Sequence, residues 1–237
     1  MGQLAVFWLT ANAGIGEKQS PLQGQKKERG MKEQKKYLIA IPCLDMMPVG
    51  FTASLISMMR VGASKVSFLA NSLVYDARNM LTAEALDTGA DRVLFIDSDM
   101  VFKPDLMERL AADMDESDLD YVCGIFVKRR LPTIPCVYKT IELEDGKGRT
   151  EIYADYPQDS IFQVAGSGFG AVMVSTALLK DVYDTYGPPF LPYHGILGED
   201  LSFCWRARQL GYELYCDSRI KVGHMGTFVY GEEHYRR

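Results

Sequence analysis

Short apolar runs alternate with stretches of helical period from Tyr37 onward. Tyr37–Ile41 reads as a buried strand ended by Pro42, and Phe51–Val61 as a helix beyond the Pro48-Val49-Gly50 turn. Val66–Ala70 is a second short strand. Over Ser72–Asp87 apolar side chains recur at helical spacing (Leu73, Ala77, Met80, Leu81), and Gly89 supplies the stop. Val93–Ile96 predicts a strand, and Pro104 the first turn of the helix after it. Strand alternating with helix predicts a parallel, doubly wound sheet. In such sheets ligands bind outside the carboxyl ends of the strands.

The second half is richer in strands. Tyr121–Phe126, Pro135–Tyr138, Ile161–Val164 and Ala171–Val174 run apolar or alternate between turn signals. Helices are predicted over Thr176–Tyr186 and Leu201–Leu210, each stopped by a glycine (Gly187, Gly211). Glu213–Cys216 and Ile220–Val222 complete the pattern as short strands. No repeat or linker divides the chain, so one α/β domain is expected over residues 36–237. Residues 1–35 follow another pattern. The run "LAVFWLT" (Leu4–Thr10) is not preceded by a basic segment, and Gly14–Lys36 is polar and carries a second methionine, Met31. This part is read as a poorly ordered extension rather than a signal peptide.

Composition narrows the classes. Of 237 residues, 47% are hydrophobic and 24% charged, which is ordinary for a globular protein with a sizeable core. A net charge of -5 argues against gripping nucleic acid through the overall field. No apolar run reaches the ~18 residues of a membrane span. Five cysteines, widely scattered and without a C-x-x-C pair, suit free thiols in a reducing, cytoplasmic setting better than disulfides or zinc.

The chemistry gathers where the third strand ends. "VLFIDSD" aims Asp97 and Asp99 out of a buried run, and residues two apart on a strand point the same way. Paired carboxylates suit a hard divalent ion such as Mg²⁺ or Mn²⁺, whose open positions substrate phosphates fill. The alternative is that Asp97-Ser98-Asp99 caps a turn. Glu199-Asp200 opens a helix, where acidic residues also serve as ordinary caps. His224, in "GHMG", is a ligand candidate or a structural histidine. "AGSGFGA" (Ala165–Ala171) matches a dinucleotide fingerprint in letters only, because it leads into a strand rather than a helix.

In order, a D-x-D, a mid-chain glycine loop, an E-D at a helix start and a C-terminal histidine resemble the shared features of GT-A-fold glycosyltransferases of the family-2-like kind. The resemblance covers roughly residues 37–227 and includes "YDARNML" (Tyr75–Leu81), similar to an Arg-Asn helix placed before the D-x-D strand. It implies a single GT-A-type, Rossmann-like α/β domain with a central, mostly parallel mixed sheet flanked by helices. It further implies transfer of a sugar, with a hexose expected, from a UDP- or GDP-linked donor to a hydroxyl of a glycan, lipid-linked or protein acceptor. Mn²⁺ or Mg²⁺ would be held by Asp97, Asp99 and His224. Asp200 would be the general base and Glu199 would orient acceptor or donor. Pro42, Asp45, Arg78, Asn79, Asp97, Ser98, Gly166 and Gly168 would lie along the donor. The Q-x-x-R-W signature of processive synthases is absent, so a non-processive enzyme is expected. With Asp200 as base beside the attacking hydroxyl the expected course is single displacement with inversion, whereas a base away from the attacking face leaves retention open. Two alternatives stand: a sugar-phosphate nucleotidyltransferase, whose glycine-rich loop after the first strand is missing here, and a non-catalytic carbohydrate-binding or structural domain of the same fold.

Overall fold

The computed structural model describes residues 34–130, 132–144, 147–193 and 196–226. Residues 1–33 of the expected extension, His194 and His234 lie outside them. The first half follows the alternation read from the sequence: β1 (Lys36–Cys43), α1 (Val49–Ser57), β2 (Ala63–Ala70), α2 (Val74–Asp87), β3 (Arg92–Ile96), β4 (Met100–Val101), α3 (Leu106–Glu116) and β5 (Tyr121–Ile125). The second half holds β6 (Val137–Glu144), β7 (Lys147–Ile152), β8 (Ile161–Val164), β9 (Gly166–Ser167), β10 (Ala171–Ser175), α4 (Thr176–Tyr186), α5 (Glu199–Gln209), β11 (Leu214–Lys221) and β12 (Gly223–His224).

Seven strands form the central sheet in the order β2-β1-β3-β10-β5-β11-β8. β10 runs antiparallel to both β3 and β5, and β8 antiparallel to β11; the other five strands share one direction. Successive residues of a strand face opposite sides, so the sheet separates two cores. Leu38, Phe95 and Val172 pack with Leu81 of α2, Leu178 of α4 and Phe203 of α5. Their neighbours Ile39, Leu94 and Met173 pack with Phe51 of α1 and Leu106 and Leu110 of α3. Among the described residues no helix is long and apolar enough to cross a membrane.

Several boundaries differ from the sequence reading for identifiable reasons. β1 does not stop at Pro42 but runs to Cys43, because Pro42 pairs only with Leu69 of β2 and lies beyond the stretch shared with β3. α1 ends at Ser57, where Met58 turns extended. α3 begins at Leu106, after Pro104. The buried face of α2 is Ala77, Arg78, Leu81, Thr82 and Ala85, whereas Leu73 and Met80 face outward. The two short strands expected after Gly211 are one bulged strand, β11, followed by β12.

Candidate active site

β3 ends at Ile96, and residues 97–100 form a turn closed by the Met100 amide donating to the Asp97 carbonyl (3.1 Å). Strand alternation therefore does not govern Asp97 and Asp99, and their carboxylates meet different partners. Asp97 Oδ1 accepts from Arg78 Nη2 at 2.7 Å, while Asp99 Oδ2 lies 2.9 Å from Arg129 Nη1 and 3.3 Å from His224 Nε2. Met100–Val101 pairs with Gly223–His224, and the Met225 amide donates to the Asp99 carbonyl (2.9 Å). Backbone pairing thus carries the C-terminal histidine to the end of the third strand.

Arg78 is the hub of the inner half. It is 2% exposed, its Nη1 donates to Glu199 Oε1 at 2.7 Å, and its guanidinium lies 5.4 Å from the centre of the Phe169 ring. Burial opposes its charge, but Asp97, Glu199 and Asp200 hold it firmly protonated. An exposed helix arginine is excluded by that burial. Burial raises the Asp97 carboxyl, and Arg78 only partly offsets the rise.

Glu199 and Asp200 are the first two residues of α5, where the helix dipole favours negative charge. Asp200 Oδ1 accepts from the Leu201 amide at 2.7 Å. Burial, reinforced by Glu199, pushes its carboxyl up to about 6. The glycine loop lies against it: a Cβ on Gly168 would sit 3.6 Å from Asp200 Oδ2 and 2.9 Å from Phe126 Cζ. Gly166 faces inward, where a Cβ would meet Ile141 Cδ1 at 2.6 Å and Cys204 Cβ at 2.7 Å. Both glycines are buried, so packing alone accounts for the absence of a side chain there.

The outer half is Asp99, His224 and Arg129. Partial burial works against ionisation of Asp99, yet hydrogen bonding and charge from His224, with Arg129, hold its carboxyl below the usual range. His224 is raised by its bond to Asp99, and its Nδ1 is fixed at 2.9 Å from the Val127 carbonyl. Among the described residues, Asp99 Oδ1 is buried and without a hydrogen-bond partner. One carboxylate with an orphaned oxygen beside one imidazole is a borderline-hard donor pair that suits Mn²⁺ or Mg²⁺. Among the described residues no three His, Cys, Asp or Glu side chains gather as a complete metal cage.

The other sequence candidates fall around this pair of clusters. Ser98 sits in the turn, half-buried, and Pro42 is buried at the end of β1. Asp45 is exposed in the segment after it. Asn79 Oδ1 accepts from the Phe190 amide at 2.9 Å, tying α2 to the chain ahead of α5. Arg129, in the basic run Lys128-Arg129-Arg130, reaches the site although the sequence analysis does not single it out. Nothing in "KRR" marks which of three successive cations folds back.

Residues 70–179 match the family model described as Glycosyl transferase family 2. No curated protein matches the chain in sequence. Among solved structures the fold is similar to A197 from STIV, at 18% identity and a TM-score of 0.56 over 81% of this chain and 86% of that one. It is also similar to GalNAc-T7 with UDP, GalNAc and Mn²⁺, at 10% identity and a TM-score of 0.58 over 84% of this chain and 45% of that one. The chain thus spans less than half the length of the second. The match to that family spans α2, the D-x-D turn and the glycine loop, and the architecture is that of the GT-A fold.

Proposed function

We propose that the chain is a metal-dependent, non-processive glycosyltransferase that moves a hexose from a UDP- or GDP-linked donor to an acceptor hydroxyl with inversion. The observation that carries this reading is the division of labour among its carboxylates. Asp97 and Glu199 are spent on Arg78, whereas Asp99 keeps a buried oxygen beside His224 that has no hydrogen-bond partner among the described residues. Asp200 is the remaining carboxylate, with its carboxyl pushed up to about 6. A pKa just below neutrality is what a general base needs, since it is ionised at pH 7 yet still basic.

In this reading Asp99 and His224 hold Mn²⁺ or Mg²⁺, which supplies charge neutralisation for a departing diphosphate. Arg78 fixes Asp97 and Glu199 so that the turn and the start of α5 keep a constant spacing. Asp200 takes the proton of the acceptor hydroxyl as that oxygen attacks the anomeric carbon and the bond to the diphosphate breaks. Pro42, Asp45 and Ser98 line the donor side, while Asn79 acts through the Phe190 segment it anchors. A side chain at Gly168 would crowd Phe126 and Asp200. Four buried cysteines and one half-buried, scattered along the chain, support a reducing, cytoplasmic setting.

The test is release of nucleoside diphosphate from UDP- and GDP-linked hexoses with Mn²⁺ across a panel of glycan, lipid-linked and protein acceptors. Asp200→Asn should cut turnover ~10²–10⁴-fold, the usual worth of a general base. Release indifferent to Asp200→Asn, or pyrophosphate release from a nucleoside triphosphate instead, would overturn the proposal.

A further inference from the structure

A second set of charged side chains, remote from Asp200, has no part in the chemistry above. Asp217 on β11 is fully buried, and Asp113 on α3 is nearly so. One oxygen of each, Oδ2, is buried without a hydrogen-bond partner among the described residues. Two arginines complete the group. Arg219 donates from its backbone amide and its Nε to Asp217 Oδ1, both at 2.8 Å, and from Nη2 to Asp113 Oδ1 at 3.1 Å. Arg109 of α3 donates to the Arg219 carbonyl at 3.2 Å and lies 3.7 Å from Asp217 Oδ2.

What this group grips is a bulge. Along β5 and β11, Asp217 pairs with Gly124, but the next pair is Lys221 with Ile125. β5 advances one residue while β11 advances four, so Ser218, Arg219 and Ile220 are extra. The excursion is anchored on its other side by Ser160, whose carbonyl accepts from the Ser218 amide and hydroxyl, both at 3.0 Å. Gly124 is shaped to it as well: a Cβ there would meet Ile220 Cγ2 at 3.0 Å and the Ile220 carbonyl at 3.1 Å. Pairing resumes when the Val222 amide donates to the Ile125 carbonyl (2.9 Å), and Gly223–His224 then pairs with Met100–Val101.

An odd number of inserted residues has a definite consequence. Side chains alternate with period two, so an odd insertion exchanges the two faces of everything that follows. Were the bulge drawn out into regular pairing with β5, the position now held by His224 beside Asp99 would fall to Lys221. We propose that Asp217, with Arg219 and Asp113, is a positioning group that holds the β11 bulge in place and thereby sets the register delivering His224 to Asp99. The group touches neither donor nor acceptor and acts only through backbone register. The inference rests on the reading of His224 as a metal ligand, but the placement of the ring is testable separately.

The experiment uses the full chain. Mn²⁺ affinity is measured by the electron-spin signal of the free ion for the parent, Asp217→Ala, Asp217→Asn, His224→Ala and the Asp217→Ala/His224→Ala double variant. The His224 imidazole is followed by nitrogen NMR, assigned by its loss in His224→Ala. Asp217→Asn keeps the Oδ1 acceptor for Arg219 and should bind Mn²⁺ like the parent. Asp217→Ala should weaken binding by as much as His224→Ala does, roughly 10-fold or more as for a lost orienting contact. The double variant should be no worse than either single one, since both remove the same contact. The His224 signal should move in Asp217→Ala and stay in Asp217→Asn. Should Asp217→Ala fail to fold, Arg219→Ala, at a half-exposed side chain, should show a smaller loss with the same non-additivity. The inference falls if the Asp217 and His224 losses multiply, or if the ring signal is unmoved in folded Asp217→Ala. If neither the parent nor His224→Ala binds Mn²⁺, the metal reading falls, while a ring signal that still moves supports the register argument.

Discussion

Replacing Arg78 with alanine would strand two carboxylates that a single guanidinium now touches at 2.7 Å each. Removing one partner of a buried ion pair costs ~3–5 kcal/mol, because the charge left behind is desolvated without compensation. The side chains of Asp97 and Glu199 are 29% and 20% exposed, so water reaches them in part and the lower end of that range applies. A loss of about 3 kcal/mol is a large share of the ~5–15 kcal/mol that holds a typical domain folded. With a urea slope of ~2 kcal/mol per molar, the midpoint should fall by ~1.5 M. The deficit has a sign in pH. Burial already raises the Asp97 carboxyl with Arg78 present, and without Arg78 it takes a proton more readily. The cost should therefore shrink between pH 7 and pH 4.5, leaving the part due to lost packing on Phe169. Urea unfolding followed by circular dichroism at both pH values measures this directly. In Arg78→Met/Asp97→Asn/Glu199→Gln, where no charge is stranded, stability at pH 7 should be largely restored. A midpoint within ~0.3 M of the parent at pH 7, or a deficit equal at the two pH values, would refute the reasoning.

Two further outcomes follow from the buried carboxylates. Because the Asp200 carboxyl is pushed up to about 6 and must be ionised to accept a proton, kcat/KM should rise with pH through about 6 and then level. An acid limb centred below pH 5 would contradict that role. Asp113 is raised to about 7, by burial first and then by Asp217, against Arg219 and Arg109. Its folded-state pKa lies above the unfolded value, so the stabilising proton is fully present below about pH 4 and is lost as pH rises through about 7. Asp113→Asn should flatten the dependence of unfolding free energy between pH 7 and 8, above the range in which Asp200 titrates. It should also be more stable than the parent at pH 8 by on the order of 1 kcal/mol; a parent that is the more stable at pH 8 would contradict a carboxyl that burial and Asp217 keep from ionising.

Local physics made much of the fold legible. α4 spans the predicted Thr176–Tyr186 because Ser175 caps it, its Oγ accepting from the Leu178 amide, and Gly187 takes the positive φ of 79° that ends it. β3 and β10 are continuous apolar runs because both are covered by neighbours on two faces. The β6–β7 hairpin was not legible, since β7 is polar and exposed and carries no burial pattern. β11 was split in two by a bulge whose residues break the alternation.

The site was legible as a set of residues and less so as a geometry. Asp97, Asp99, Glu199, Asp200, Arg78 and His224 stood out by motif and resemblance, and the chain brings them into two linked clusters. Their pairing was not predictable from spacing, because the turn at residues 97–100 frees Asp97 and Asp99 from strand alternation. The buried side of α2 was misjudged for a related reason. An arginine on the inner face is stable only because partners arrive from the turn after β3 and from α5, and helical period carries no information about them.

The central claim is that Asp99 and His224 form a metal site for a nucleotide diphosphate. Its most direct test is a thermal-shift titration with UDP, GDP and CMP, each with Mn²⁺ and with EDTA, on the parent and Asp99→Ala. A ligand that binds only the folded state stabilises it by about 2.7 kcal/mol at ~100 times its Kd. The account predicts a shift with UDP or GDP that needs Mn²⁺ and disappears in Asp99→Ala. A shift that survives EDTA or Asp99→Ala, or no shift with any nucleotide in well-folded protein, would contradict it.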